Sequence, residues 1–142
     1  MPLGCLVKGS SKSNCFVNAN SVTLGVEFRG KKMLPGDLES PGLDDLLAEL
    51  PYDCDVLMAP HHGSRRSDPP GFAAWCTPEW VVFSGDARVP ADVERTYERA
   101  GARVFTTGKV GEVEVSLGDA GVQVTTWHER RPDLPSVSPA ED

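Results

Sequence analysis

The amino-acid sequence predicts an α/β fold with a mixed sheet. Three observations lead there. The middle of the chain alternates short apolar runs, at 54–59 and 80–83, with stretches of helical spacing. Both ends carry short apolar or alternating segments broken by turn residues, the pattern of antiparallel strands. The 142 residues suit one domain, and 12 prolines and 14 glycines mark many turns and short elements.

The elements follow in order. Leu6-Val7 and Phe16-Val17 each suit a short strand, with Asn14, Asn18 and Asn20 in turns. Over 21–28 the apolar residues Val22, Leu24, Val26 and Phe28 share one face, so this segment is expected to be a strand. Arg29-Gly30-Lys31-Lys32 reads as a charged hairpin tip, and Met33-Leu34 as a return strand ending at Pro35-Gly36-Asp37. Residues 42–50 have leucines at helical spacing and acids in the first turn. Residues 54–59 read as a buried strand, and 68–76 as a short helix with proline at its start. Trp80-Val81-Val82-Phe83 reads as a second buried strand. Residues 90–100 form an amphipathic helix through Val93, Tyr97 and Ala100, with Gly101 suited to its end. Strands are expected at 103–106, 112–117 and 122–127, the last two joined by Gly118-Asp119-Ala120-Gly121. The polar, proline-rich residues 129–142 are expected to be a disordered tail behind a domain at 1–128.

Composition excludes some functions. The net charge of −7 and the lack of a basic stripe argue against nucleic-acid binding by surface charge alone. A metal-assisted phosphate contact stays open, because the cation supplies the charge. The four cysteines, Cys5, Cys15, Cys54 and Cys76, make no C-x-x-C pair, so zinc-ribbon and thioredoxin motifs are absent. Cys54 and Cys76 sit among apolar residues and are expected in the core, as are Trp75, Trp80 and Trp127 on the core or a sheet face. No apolar run approaches the ~18 residues of a membrane span, and no signal-peptide pattern opens the sequence.

The chemistry-bearing residues are few. Only three histidines occur, His61, His62 and His128, and two of them are adjacent, directly after a buried strand. Loops at the C-terminal ends of strands are where α/β sheets hold ligands. Imidazole is the commonest protein metal ligand, and adjacent imidazoles can serve as a ligand and its supporting neighbour. Asp37 likewise ends a strand, after a glycine that permits a sharp turn. A carboxylate there can ligate a cation or orient a bound water. Asp86, at the next strand end, is a weaker candidate, with helix or turn capping as its ordinary role. Arg65-Arg66 could hold a phosphate or simply line a solvated loop, and His128 is expected to be solvated.

These residues carry a resemblance. Asn20-Ser21-Val22-Thr23-Leu24, Met33-Leu34-Pro35-Gly36-Asp37-Leu38-Glu39, Leu46-Leu47 and Asp55-Val56-Leu57-Met58-Ala59-Pro60-His61-His62-Gly63-Ser64 resemble the second half of the metallo-β-lactamase domain of ComEC-type DNA-uptake proteins. Val104-Phe105-Thr106-Thr107 and Gly111-Glu112-Val113 fit that family's closing strands, so the likeness spans roughly 14–127. It implies a partial αββα sandwich, the C-terminal half of the fold, and a binuclear zinc- or manganese-type centre. It also implies phosphodiester hydrolysis, with single-stranded DNA as substrate. Carried over by position, Asp37 would be the carboxylate metal ligand, one or both of His61 and His62 imidazole ligands or a ligand with its neighbour, and Ser64 a loop support or phosphate contact; Asp37 and His62 are the residues expected to carry catalysis.

Two departures count. The family's upstream H-x-H-x-D-H motif has no counterpart, and Val89-Pro90 stands where the family often has His-Pro. The expectation is therefore an incomplete metal site, completed by another segment or chain. A half sandwich should also expose a sheet face, which predicts a homodimer or a partner supplying the other half. The alternatives are a non-catalytic interaction module of the same fold and a lactonase-like small-ester hydrolase.

Overall fold

A computed structural model describes residues 4–8, 21–86, 88–131 and 133. The expected strand at Phe16-Val17, the asparagine turns before Ser21 and most of the proline-rich tail lie outside these residues.

The fold is α/β, and its centre is a six-stranded mixed sheet. The strands are β1 (Gly4–Lys8), β2 (Thr23–Glu27), β3 (Lys31–Leu34), β4 (Val56–Met58), β5 (Trp80–Phe83) and β6 (Arg103–Thr106), neighbours in that order. β1, β2 and β3 pair antiparallel, whereas β3 to β6 run parallel. The parallel strands require crossovers. These carry α1 (Gly42–Leu47), α2 (Pro69–Cys76) and α3 (Ala91–Arg99).

Register decides what each face does. Met33 pairs with Leu57, Leu57 with Val81 and Val81 with Val104, so these side chains share one face. That face packs on Leu43 and Leu46 of α1, Phe72, Ala73, Trp75 and Cys76 of α2, and Val93 and Tyr97 of α3 in a single core. The opposite face holds Val56 and Val82, both buried as well. β4 and β5 are thus apolar on both sides, as expected of central parallel strands.

A separate hairpin follows β6, made of β7 (Val113–Gly118) and β8 (Gly121–Thr126) and turning at Asp119-Ala120. Its tip meets the β2–β3 turn, where Leu117 and Val122 crowd Gly30 and Arg29 pairs with Asp119. Two one-turn helices flank it, α4 (Thr107–Val110) and α5 (Trp127–Arg130). The second starts from a capping box: Thr126 Oγ1 accepts from the Glu129 amide, and the Glu129 carboxylate accepts from the Thr126 amide at 2.7 Å. Residues Glu129 and Arg130 are therefore helical, with Arg130 paired to Glu114.

One expectation is corrected. Lys31 and Lys32 are not a hairpin tip: β3 begins at Lys31, and the turn is Phe28 to Gly30, closed by Phe28 N–H on the Gly30 carbonyl. Lys31 is drawn into the strand because its amide donates to the Asp55 carboxylate at 2.7 Å and its ammonium sits over the Tyr52 ring. Among the described residues the large hydrophobics left exposed are Val22 and Leu50, neither in a strand.

Candidate functional site

The four parallel strands end along one edge of the sheet. Three loops meet there: Pro35-Gly36-Asp37 after β3, Pro60-His61-His62-Gly63 after β4 and Ser84-Gly85 after β5. The expectation that two strand ends bring an acid and imidazoles together is met in this geometry. His62 Nε2 lies 3.3 Å from Asp37 Oδ1.

The backbone makes this possible at a cost. His61 and His62 both have left-handed φ values, 46° and 53°, and Gly63 continues at 83°. Non-glycine residues reach that region against a penalty of roughly 1–2 kcal/mol each. The tight coil is anchored at both ends. The His61 amide donates to the Gly36 carbonyl at 2.8 Å, tying this loop to the one that carries Asp37. The Ser64 amide returns to the His61 carbonyl, and Ser64 Oγ accepts from the Arg66 amide. Ser64 thus supports the loop. Gly63 packs against the buried Phe83 ring so closely that a Cβ there would lie 2.4 Å from it.

Each imidazole has a fixed second nitrogen. His62 Nδ1 is 2.6 Å from the Ser84 carbonyl oxygen. A carbonyl only accepts, so Nδ1 carries a proton and donates it, and Nε2 is the nitrogen turned toward Asp37. His61 Nδ1 donates to Glu39 Oε1 at 2.7 Å, a part-buried contact. His61 is therefore held by Glu39, while His62 faces Asp37.

Other candidates are engaged elsewhere. Asp86 accepts from the Arg88 amide and guanidinium, and that guanidinium holds its carboxyl below the usual range. Arg65 forms a two-pronged pair with Asp92 at the start of α3, with contacts of 2.9 and 2.7 Å. The Arg66 side chain is exposed, and His128 is half-buried in α5. Val89, at the position where the resemblance calls for an imidazole, packs on the core beside Gly63.

Comparison with protein-family models, with curated proteins and with solved structures finds no match to this chain. Among the described residues, no group of three or more His, Cys, Asp or Glu side chains is arranged to hold a metal ion. A catalytic zinc takes about three protein ligands, and a binuclear centre takes more. The described residues do not fit such a centre. They supply one carboxylate and one imidazole facing each other, with a second imidazole alongside.

Glu39 and Ser84 are the contributors that residue-by-residue reading missed. Glu39 had a signal: it stands two positions beyond Asp37, in the same Gly-Asp-Leu-Glu run. Ser84 acts through its backbone carbonyl, which leaves no mark in residue type.

Proposed function

We propose that this chain carries part of a metal-dependent hydrolase site of the phosphodiesterase or nuclease type. It would be built on the C-terminal half of a metallo-β-lactamase-like αββα sandwich and completed by ligands from outside the described residues. One observation supports this most. Asp37 Oδ1 and His62 Nε2 face each other at 3.3 Å, with the other nitrogen of His62 committed to the Ser84 carbonyl. Nε2 is thus the nitrogen turned toward the carboxylate, and a cation bound there would be shared by an imidazole and a carboxylate. Asp37 and His62 would serve as two ligands of a zinc-type ion, which would supply Lewis-acid chemistry there. The Glu39–His61 contact repeats the pattern in which a carboxylate orients an imidazole for a metal. Two ligands hold an ion weakly, so no catalytic step is assigned to these residues alone.

The test is calorimetric titration of the chain with Zn²⁺ and with Mn²⁺. Weak binding of one ion is expected, lost in Asp37→Asn and in His62→Gln. Binding should tighten when a segment bearing an H-x-H-x-D-H motif is supplied, and cleavage of single-stranded DNA should then appear. No binding of either ion, even with that segment present, overturns the proposal.

A second reading, a non-catalytic interaction module of the same fold, draws on Val89. An apolar side chain beside Gly63 fills the corner where a late ligand would stand. Cleavage of single-stranded DNA with Mn²⁺, abolished by Asp37→Ala, would exclude it.

A further inference from the structure

The proposed metal site leaves two core thiols unused. Cys54 lies just before β4, and Cys76 closes α2. They are far apart in sequence, yet the Cys54 amide donates to the Cys76 carbonyl at 2.9 Å. With standard backbone dimensions, that bond keeps the two Cα atoms within about 6.8 Å. Disulfides span Cα separations of roughly 4.4–6.8 Å. Both side chains belong to the same buried cluster, and both are free thiols.

We infer that Cys54 and Cys76 are a redox couple, a resting dithiol that a peroxide converts to an intramolecular disulfide. The ring so closed would contain β4, the His61-His62 loop and α2. It would staple the loop-bearing crossover to the sheet.

The order of events follows from exposure. Cys54 is 4% exposed and Cys76 wholly buried. Cys54 follows an irregular stretch in which Leu50, Pro51 and Asp53 are exposed, so local opening there reaches Cys54 first. Its thiolate attacks one peroxide oxygen, the O–O bond breaks, and hydroxide leaves and is protonated to water. This gives a sulfenic acid at Cys54. The Cys76 sulfur then attacks the Cys54 sulfur, the S–O bond breaks, and the hydroxyl leaves as a second water with the Cys76 proton. Two thiols have lost two electrons, and peroxide has become two waters. The adjacent Cys54 thiol and burial hold the Cys76 thiol far above its ordinary range. Cys76 therefore rests as a thiol, and closure waits on opening.

The experiment treats the full chain with hydrogen peroxide under native conditions. The protein is then denatured, alkylated and digested without reduction. A Cys5→Ser, Cys15→Ser variant, which leaves the core pair intact, removes competing thiols. The expected product is one cross-linked peptide joining Cys54 to Cys76, lighter by two hydrogens and released by dithiothreitol. The oxidised chain should melt several degrees higher than the reduced one, because closing the ring restricts the unfolded state. Added urea below the unfolding midpoint should speed closure. Recovery of Cys54 and Cys76 as alkylated thiols after prolonged exposure overturns the inference. So does their recovery only as sulfinic acids or in disulfides between chains. None of these readouts depends on metal binding or DNA cleavage, so the inference stands or falls apart from the proposed activity.

Discussion

Replacing Gly63 with alanine tests whether the histidine loop is seated as described. Two costs add. Residue 63 has φ +83°, where a Cβ costs roughly 1–2 kcal/mol. The new methyl would also stand 2.4 and 2.5 Å from two carbons of the Phe83 ring and 3.2 Å from Val89. Phe83 is wholly buried and packs edge-on against Tyr97, so it has little room to retreat. Overpacking of this kind costs roughly 1–3 kcal/mol. The expected loss is therefore roughly 2–5 kcal/mol, a large share of the ~5–15 kcal/mol that stabilises a typical domain. Urea unfolding followed by circular dichroism measures it, and the midpoint should fall by about 1–2 M with an unchanged slope. A second substitution separates the two costs. In a Phe83→Ala background the steric part should vanish and the backbone part remain, so Gly63→Ala should cost only roughly 1–2 kcal/mol there. A loss below about 1 kcal/mol in the parent background would refute the seating of the loop on Phe83.

Two further outcomes are expected. The Arg65 guanidinium holds the Asp92 carboxyl below its ordinary value of 3.8, so the folded state binds that proton less readily than the unfolded chain. The pair's contribution is then fully present above that ordinary value and is lost as pH falls through the lower folded one. Arg65→Ala should remove this acid-limb dependence, seen as a smaller difference in melting temperature between neutral and strongly acidic buffer, and added salt should shrink the effect in the parent chain. Thr126→Ala removes one arm of the capping box at α5 and should cost about 1 kcal/mol, measured by urea unfolding. An unchanged midpoint would mean that α5 does not fold with the domain.

Much of the architecture was legible because it rests on strong local signals. The apolar run Trp80-Val81-Val82-Phe83 is β5 residue for residue, and Gly118 and Gly121 flank the turn between β7 and β8 as read. Pro69 opens α2, with Asp68 accepting from the Gly71 amide as its cap. Of the site, the meeting of Asp37 with a histidine followed from their places at successive strand ends. Other features leave weaker traces. One-turn helices such as α4 and α5 are too short to show a period. Lys31 and Lys32 look like a turn by composition, and only cross-strand partners pull them into β3. The different roles of the paired histidines were also hidden. Which ring meets Asp37 and which meets Glu39 depends on backbone angles that non-glycine residues seldom adopt.

Those angles bear on how this protein responds to selection. At 61 and 62 the fold alone would favour glycine, which holds left-handed φ without penalty. Replacing His62, whose side chain is exposed, with glycine should therefore raise resistance to unfolding by up to roughly 1–2 kcal/mol, whereas at His61 the lost bond to Glu39 offsets that gain. Few loops offer so direct a separation of the two demands on a sequence. A gain in stability from losing an imidazole would mark that imidazole as kept for chemistry rather than for folding, before any ligand or substrate is known.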